Sequence, residues 1–268
     1  MRLASTGNAA TSQDSERIET TVVGSYPVPD WLVASPTEQA LEDATRAVLH
    51  TQQQAGIDLV CDGELTRFDV NHPGTNGMID YFVAPMAGMR TAITFDELTA
   101  YRAQAGMGFR RRPPGVVDGA LGSGTLDLPA TCGRARALTA APLKFTLTGP
   151  HMLAKTLLDT HYGDLAALTD AIAGVLAEQV AHRPASELAA FADLDPRIGM
   201  GLGVIDVKRT DIETADDVAR AIEAAATAIG PGRVRYVHPD CGFWMLKRPI
   251  AEAKMRALVA VRDLYEGR

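Results

Sequence analysis

Cysteine is scarce in this chain. Three residues in 268, Cys61, Cys132 and Cys241, are too few and too scattered for a disulfide framework, and such thiol usage points to a reduced, cytoplasmic home. No apolar run approaches the roughly 20 residues that cross a bilayer, so no membrane span is expected. Basic runs are absent apart from 110–112, and a net charge of −7 argues against nucleic acid as the main partner, leaving acidic small molecules within reach of local Arg or Lys. The first eighteen residues are rich in Ser, Thr, Asn and Gln and lack the apolar centre of a signal peptide. They read as a disordered tail, 1–18. His72, His151, His161, His182 and His238 include no pair at the i, i+4 spacing of a helical metal site, although His238 and Cys241 lie three apart on a turn.

What is present is an ordinary globular composition, 46% hydrophobic and 22% charged, enough to bury a large core over 19–268. A β-branched run at 20–23 ends in Gly24-Ser25-Tyr26-Pro27, a strand running into a loop where backbone can approach a ligand. Ser35-Pro36-Thr37-Glu38 offers an N-cap, a Pro at the first helical position and an acid three residues after the cap, and Gly56 closes the helix. Residues 57–61 form the next strand, with Asp62-Gly63-Glu64 at its end, which completes a βαβ step with a right-handed crossover. The rhythm is lost over 66–141, read as an irregular insertion that covers a site or packs a partner.

Residues 143–147 read as a third strand ending in Thr148-Gly149-Pro150. Asp164 caps a helix with Leu165, Leu168, Ile172, Val175 and Leu176 at helical spacing, and a further helical piece, 185–191, follows Pro184 with no strand between. The glycine-studded run 198–205 is a fourth strand, with Asp206 opening its loop. A helix opens near Thr214 and closes at Gly230-Pro231. Residues 234–237 are the fifth strand, leading into His238-Pro239-Asp240-Cys241-Gly242, and a last helix spans about 250–264. Repeated strand-then-helix units predict an α/β fold, and a (βα)8 TIM-barrel type is its commonest form near 250 residues. Only about five βα units are recognisable, so the barrel is expected to be incomplete.

If the strands are parallel, Gly24, Ser25, Glu64, Thr148, Gly149, Asp206, Asp240 and Cys241 share one rim. That rim offers a carboxylate for an ammonium group, N–H groups and a hydroxyl for a carboxylate, and a thiolate for zinc or for attack, a set suited to an amino-acid-like thiol. Structural roles compete with each assignment: Glu64 paired with Arg67, Gly24-Ser25 as a turn, Asp206 as a cap, Cys61 as core.

Taken together, the strand-end motifs resemble the catalytic barrel of the cobalamin-independent methionine synthase family. They are Val23-Gly24-Ser25-Tyr26-Pro27, Asp62-Gly63-Glu64 with Arg67 and Asp69, Lys144-Phe145-Thr146-Leu147-Thr148-Gly149-Pro150, Gly203-Val204-Ile205-Asp206 and Pro239-Asp240-Cys241-Gly242. The resemblance implies a (βα)8 barrel whose zinc activates a thiol such as homocysteine for attack on a methyl group, in methionine biosynthesis. It also implies that Gly24 and Ser25 contact the substrate's carboxylate end, Glu64 its amino group, and that Asp206 lies in the substrate site and Cys241 ligates zinc.

The family's His-x-Cys pair, the Glu on the next strand and an Asp-Glu-Pro strand end have no counterpart here. The sequence runs from Gln179 directly into His182-Arg183-Pro184, as if about three βα units were missing, and Lys208 stands where long members place a histidine acid. The expectation is therefore zinc-dependent methyl transfer from a methyl donor to a small thiol. The alternatives are zinc-dependent alkyl transfer or a lyase reaction on another thiol, or a shortened, non-catalytic relative that binds a small molecule. Unpaired strand edges would favour a homo-oligomer.

Overall fold

A computed structural model of the chain describes residues 18–67, 77–104, 112–180, 200–229 and 234–265. It is an α/β structure in which short strands end in loops that lead to helices. After β1 (Glu19–Thr20), a short α1 (Asp30–Ala34) precedes α2 (Glu38–Gln54). The Thr37 hydroxyl, not that of Ser35, caps α2, accepting from the Ala40 N–H at 3.0 Å. Thr37 holds an extended backbone, so the helix begins after it and Pro36 belongs to the approach. The buried stripe of α2 is Ala44, Val48 and Leu49, and burying each large aliphatic contributes about 1.5–3 kcal/mol. Gln52 continues that stripe as a polar clamp: its Nε2 donates to the Cys61 carbonyl at 2.8 Å and its Oε1 accepts from the Cys61 N–H at 2.9 Å.

Regular elements occupy much of the stretch 66–141. They are α3 (Asp80–Val83), β2 (Ala87–Arg90), α4 (Phe95–Ala103), β3 (Val116–Gly122) and α5 (Leu128–Arg136). This corrects the expectation of irregular chain. The glycines of β2 and β3 spoil any alternation, and the helices there are too short to show a period. A Thr94–Glu97 capping box starts α4, and Arg90 of β2 joins Glu97 of α4 to Asp118 of β3. Next come α6 (Pro150–Thr156), β4 (Leu158–Asp159) and α7 (Leu165–Val180), the last capped by Asp164 through the Ala167 N–H. β2 and β3 are antiparallel, while β3 and β4 are parallel. Phe82, Val83, Val117, Leu153, Leu168 and Ile172 pack together beneath them.

The last described elements are β5 (Met200–Ile205), α8 (Ala215–Ile229), β6 (Val234–Pro239) and α9 (Arg248–Tyr265). The expected helix 185–191 and His182 lie outside the described residues. β1 pairs in parallel with β6, and β6 with β5. On the other side of β1, Thr21 bridges Leu59 and Val60 bridges Leu143, both in parallel. Five segments therefore lie side by side in the order β5, β6, β1, 59–60 and 143. Among the described residues no pairing joins Leu143 to β5, so the series has two ends.

Helices α2, α8 and α9 supply Ala44, Val48, Leu49, Val218, Ile222, Met255, Leu258 and Val261 to one core with Val22, Val60, Ile205 and Val237 from the strands. The starts of these strands are tied by Asp58. Its carboxylate accepts from the Thr20 N–H at 2.8 Å and hydroxyl at 2.7 Å, and pairs with Arg262 of α9. With that end locked to helices, the loops at the opposite end are the ones left to form a site.

Candidate functional site

Glu64 is the focus of the rim. Among the described residues it is the one non-glycine residue at positive φ, 56°, a conformation that costs about 1–3 kcal/mol and has to be held by its surroundings. Asp62 holds the backbone, its Oδ1 accepting from the Glu64 N–H at 3.0 Å. The carboxylate is held through one oxygen. Oε1 accepts from the Thr146 hydroxyl at 2.5 Å and pairs with Arg67 Nη1 at 3.1 Å. Gly24 gives way to the same oxygen, since a Cβ added there would fall 2.0 Å from Glu64 Oε1. Among the described residues these bonds all fall on Oε1, which leaves Oε2 to accept from a ligand.

Arg67 is buried, and its other terminal nitrogen donates to the Thr146 carbonyl at 2.6 Å and hydroxyl at 3.1 Å. Its guanidinium lies 5.0–5.4 Å from the ring centres of Tyr81, Phe82 and Phe145. The pairing with Glu64 that competed with a site role is therefore present, and it orients the carboxylate rather than consuming both oxygens.

Ser25 lies between Glu64 and Cys241. Its carbonyl accepts from the Phe243 N–H at 2.8 Å, and its hydroxyl rests on Gly242, where an added Cβ would fall 1.9 Å from Oγ. Among the described residues neither the Gly24 nor the Ser25 N–H has a protein acceptor. Cys241 is half-buried at the end of β6. Asp206, at the end of β5, turns inward on its own loop: Oδ1 accepts from the Lys208 N–H at 2.8 Å, the capping role considered above. It meets the β6 end through its neighbours, since Asp240 accepts from the Val207 N–H at 2.9 Å and pairs with Lys208 at 2.7 Å. Burial works to raise the Asp240 carboxyl, but the Lys208 ammonium and the Val207 N–H outweigh it and hold the group below its usual range. The structure thus joins Gly24 to Glu64 and Ser25 to Gly242, and leaves Asp206 bonded to its own loop.

Two residues of this rim were not singled out from the sequence. Thr146 is the direct partner of Glu64, and its signal was its place in the Lys144-to-Pro150 motif. Lys144 is half-buried beside them; burial pushes its ammonium below the usual lysine range, with the charge of nearby Glu64 among the influences working the other way.

The zinc implied by the resemblance can be tested against the donors. The Cys61 thiol is buried and donates to the Gly24 carbonyl at 2.9 Å; burial pushes it up to about 12, the opposite of a ready thiolate. His238 has Nδ1 2.7 Å from the Pro239 carbonyl, and Nε2 turned toward Gly201. Among the described residues no three His, Cys, Asp or Glu side chains gather as a metal site requires. His72 and His182 lie outside the described residues. The donors described do not fit zinc.

Comparison with known proteins gives a consistent picture. A family model described as cobalamin-independent synthase, catalytic domain, matches residues 157–263. The chain is 25% identical to a methionine synthase of Saccharolobus islandicus strain L.S.2.15, with 90% of this chain and 93% of the relative covered. It is 25% identical to a methionine synthase of Thermococcus kodakarensis, covering 90% and 91%. The alignment with the Saccharolobus protein runs over 325 positions, more than the 268 residues here, so the relative carries residues that have no counterpart in this chain. In fold, the chain is similar to a B12-independent methionine synthase from Shewanella sp. W3-18-1 in complex with selenomethionine. That likeness has a TM-score of 0.70 at 20% identity and covers 94% of this chain and 98% of the other.

Proposed function

Since the chain is a relative of the cobalamin-independent methionine synthase family, we propose that its rim binds the amino-acid end of a homocysteine-like thiol in thiol methyl-transfer chemistry. In this reading the five parallel segments are what is left of a (βα)8 barrel shortened by about three units. The observation that carries the proposal is the Glu64 carboxylate, fixed through Oε1 by Thr146 and Arg67 against the bare Gly24, with Oε2 free among the described residues. The complex with selenomethionine in the Shewanella protein supports an amino acid of this shape.

Each residue has a task that follows from its chemistry. Glu64 Oε2 accepts from the substrate's α-ammonium, a charge-assisted bond worth about 1.5–3 kcal/mol. The Gly24 and Ser25 N–H groups and the Ser25 hydroxyl receive the α-carboxylate. These contacts leave the side-chain sulfur directed at the β6 end and Cys241. A methyl donor would approach from the open side of the rim, and a cytoplasmic setting agrees with the unpaired thiols.

Calorimetric titration with L-homocysteine under reducing conditions tests the reading. Glu64→Gln is expected to weaken binding by about tenfold or more, and 4-mercaptobutyrate, which lacks the amino group, to bind Glu64→Gln and the unaltered chain alike. Equal homocysteine affinities for the two proteins would exclude it. The absence of a gathered metal site among the described residues favours a second reading, in which the chain binds the amino acid without turning it over. Methyl-transfer assays with a panel of donors separate the two.

A further inference from the structure

The zinc that the resemblance implies and the donors this chain presents disagree, and we propose that the rim binds its amino acid without a resident zinc, accepting thiol and thioether side chains alike. The inference rests on the amino-acid reading above and names its substrate class. Cys61 is committed elsewhere: its thiol donates to the Gly24 carbonyl, inside the core. Asp240 is occupied by the Val207 N–H and the Lys208 ammonium. Asp206 closes its own turn, and Glu64 is held by Thr146 and Arg67. His238 leans across β5 toward Gly201, two residues before the level of Gly203, whose added Cβ would meet Asp240. Among the described residues Cys241 is then a lone thiol where zinc takes about four ligands.

The consequence concerns discrimination. A zinc site prefers a thiol because the thiol can bind as thiolate, whereas a thioether cannot. Remove the metal, and homocysteine differs from methionine by one methyl group, whose burial is worth about fourfold in affinity. Everything gripped by Glu64, Gly24 and Ser25 is common to both. The site therefore reads the amino-acid end and the length of the chain, not the ionisation of the sulfur.

The test uses the full chain purified without added metal. Zinc per chain is measured on it and on Cys241→Ser. L-homocysteine and L-methionine are then titrated calorimetrically into protein treated with EDTA, and again with added zinc chloride. The expected result is negligible zinc in both proteins and two affinities within about fourfold of each other, unchanged by EDTA or zinc. About one zinc per chain, lost in Cys241→Ser, overturns the inference, as does homocysteine binding that requires zinc and exceeds methionine binding by about tenfold or more. If neither amino acid binds with or without zinc, the amino-acid reading itself fails and this inference with it.

Discussion

The left-handed backbone of Glu64 and the bare Cα of Gly24 form one device, because the carboxylate can reach its place only where no Cβ stands. Gly24→Ala is expected to displace Glu64 Oε1 and lower homocysteine affinity by about tenfold, close to the effect of removing the charge itself. Calorimetry beside a thermal melt would read both effects. The thiols provide a second prediction at this scale. Burial raises Cys61 to about 12, so in the folded protein at pH 8 Ellman's reagent should modify Cys132 and Cys241 and spare Cys61 until the chain unfolds. The sign for stability follows from the same shift. Above pH 9 the unfolded chain releases this proton while the folded one keeps it, so stability should fall as pH rises from 9 toward about 12, measurable in urea titrations. The strand-end position of Gly24 and Ser25 was legible because they follow the β-branched run 20–23, and that of Glu64 because it follows 57–61 through Asp62-Gly63. Thr146 was not, since its bond to Glu64 spans 82 positions and leaves no trace in local spacing.

Helix α9 is joined to the loop after β5 by one buried cation. Lys254 is fully buried, and its ammonium donates to both oxygens of Glu213, at 2.8 and 2.9 Å, and to the Asp211 carbonyl at 2.6 Å. Glu213 in turn accepts from the Asp206 N–H at 2.9 Å, so the pair also shapes the end of β5. Lys254→Met strands a carboxylate and a carbonyl and is expected to cost about 3 kcal/mol, read from the midpoint of urea unfolding. Of the long helices, α7 was readable because its apolar residues recur at a helical period, and α2 and α8 because capping residues open them and glycine closes them. The antiparallel β2–β3 pair was not. Its strands carry Gly88, Gly119 and Gly122, and its pairing shifts register between Ala87 and Met89, which erases the alternation a strand signal depends on.

At the level of the molecule, the five parallel segments have, among the described residues, an end at Leu143 and another at β5, and such ends present backbone groups that seek partners. Sedimentation over a range of concentrations is expected to show species heavier than the 28.5 kDa chain, and a concentration-independent monomer would show the ends to be covered from within. The five parallel segments were legible, because each runs into Gly, Pro or acidic punctuation, whereas β2, β3 and β4 were not. Apart from 143 and β5, successive segments lie side by side, as strand–helix–strand units lead one to expect, and only the pairing of β6 with β1, from opposite ends of the chain, left no local signal.

That separation carries a consequence of its own for how the chain comes to be folded. Thr20 pairs with Val237, so β1, which meets 59–60 on one side early, gains its β6 neighbour only when nearly all of the chain has been synthesised. Until then that edge of β1 waits for its partner, and contacts of such range close slowly. The ribosome delivers most of the core of this protein before it delivers β6, the strand that sits between β1 and β5.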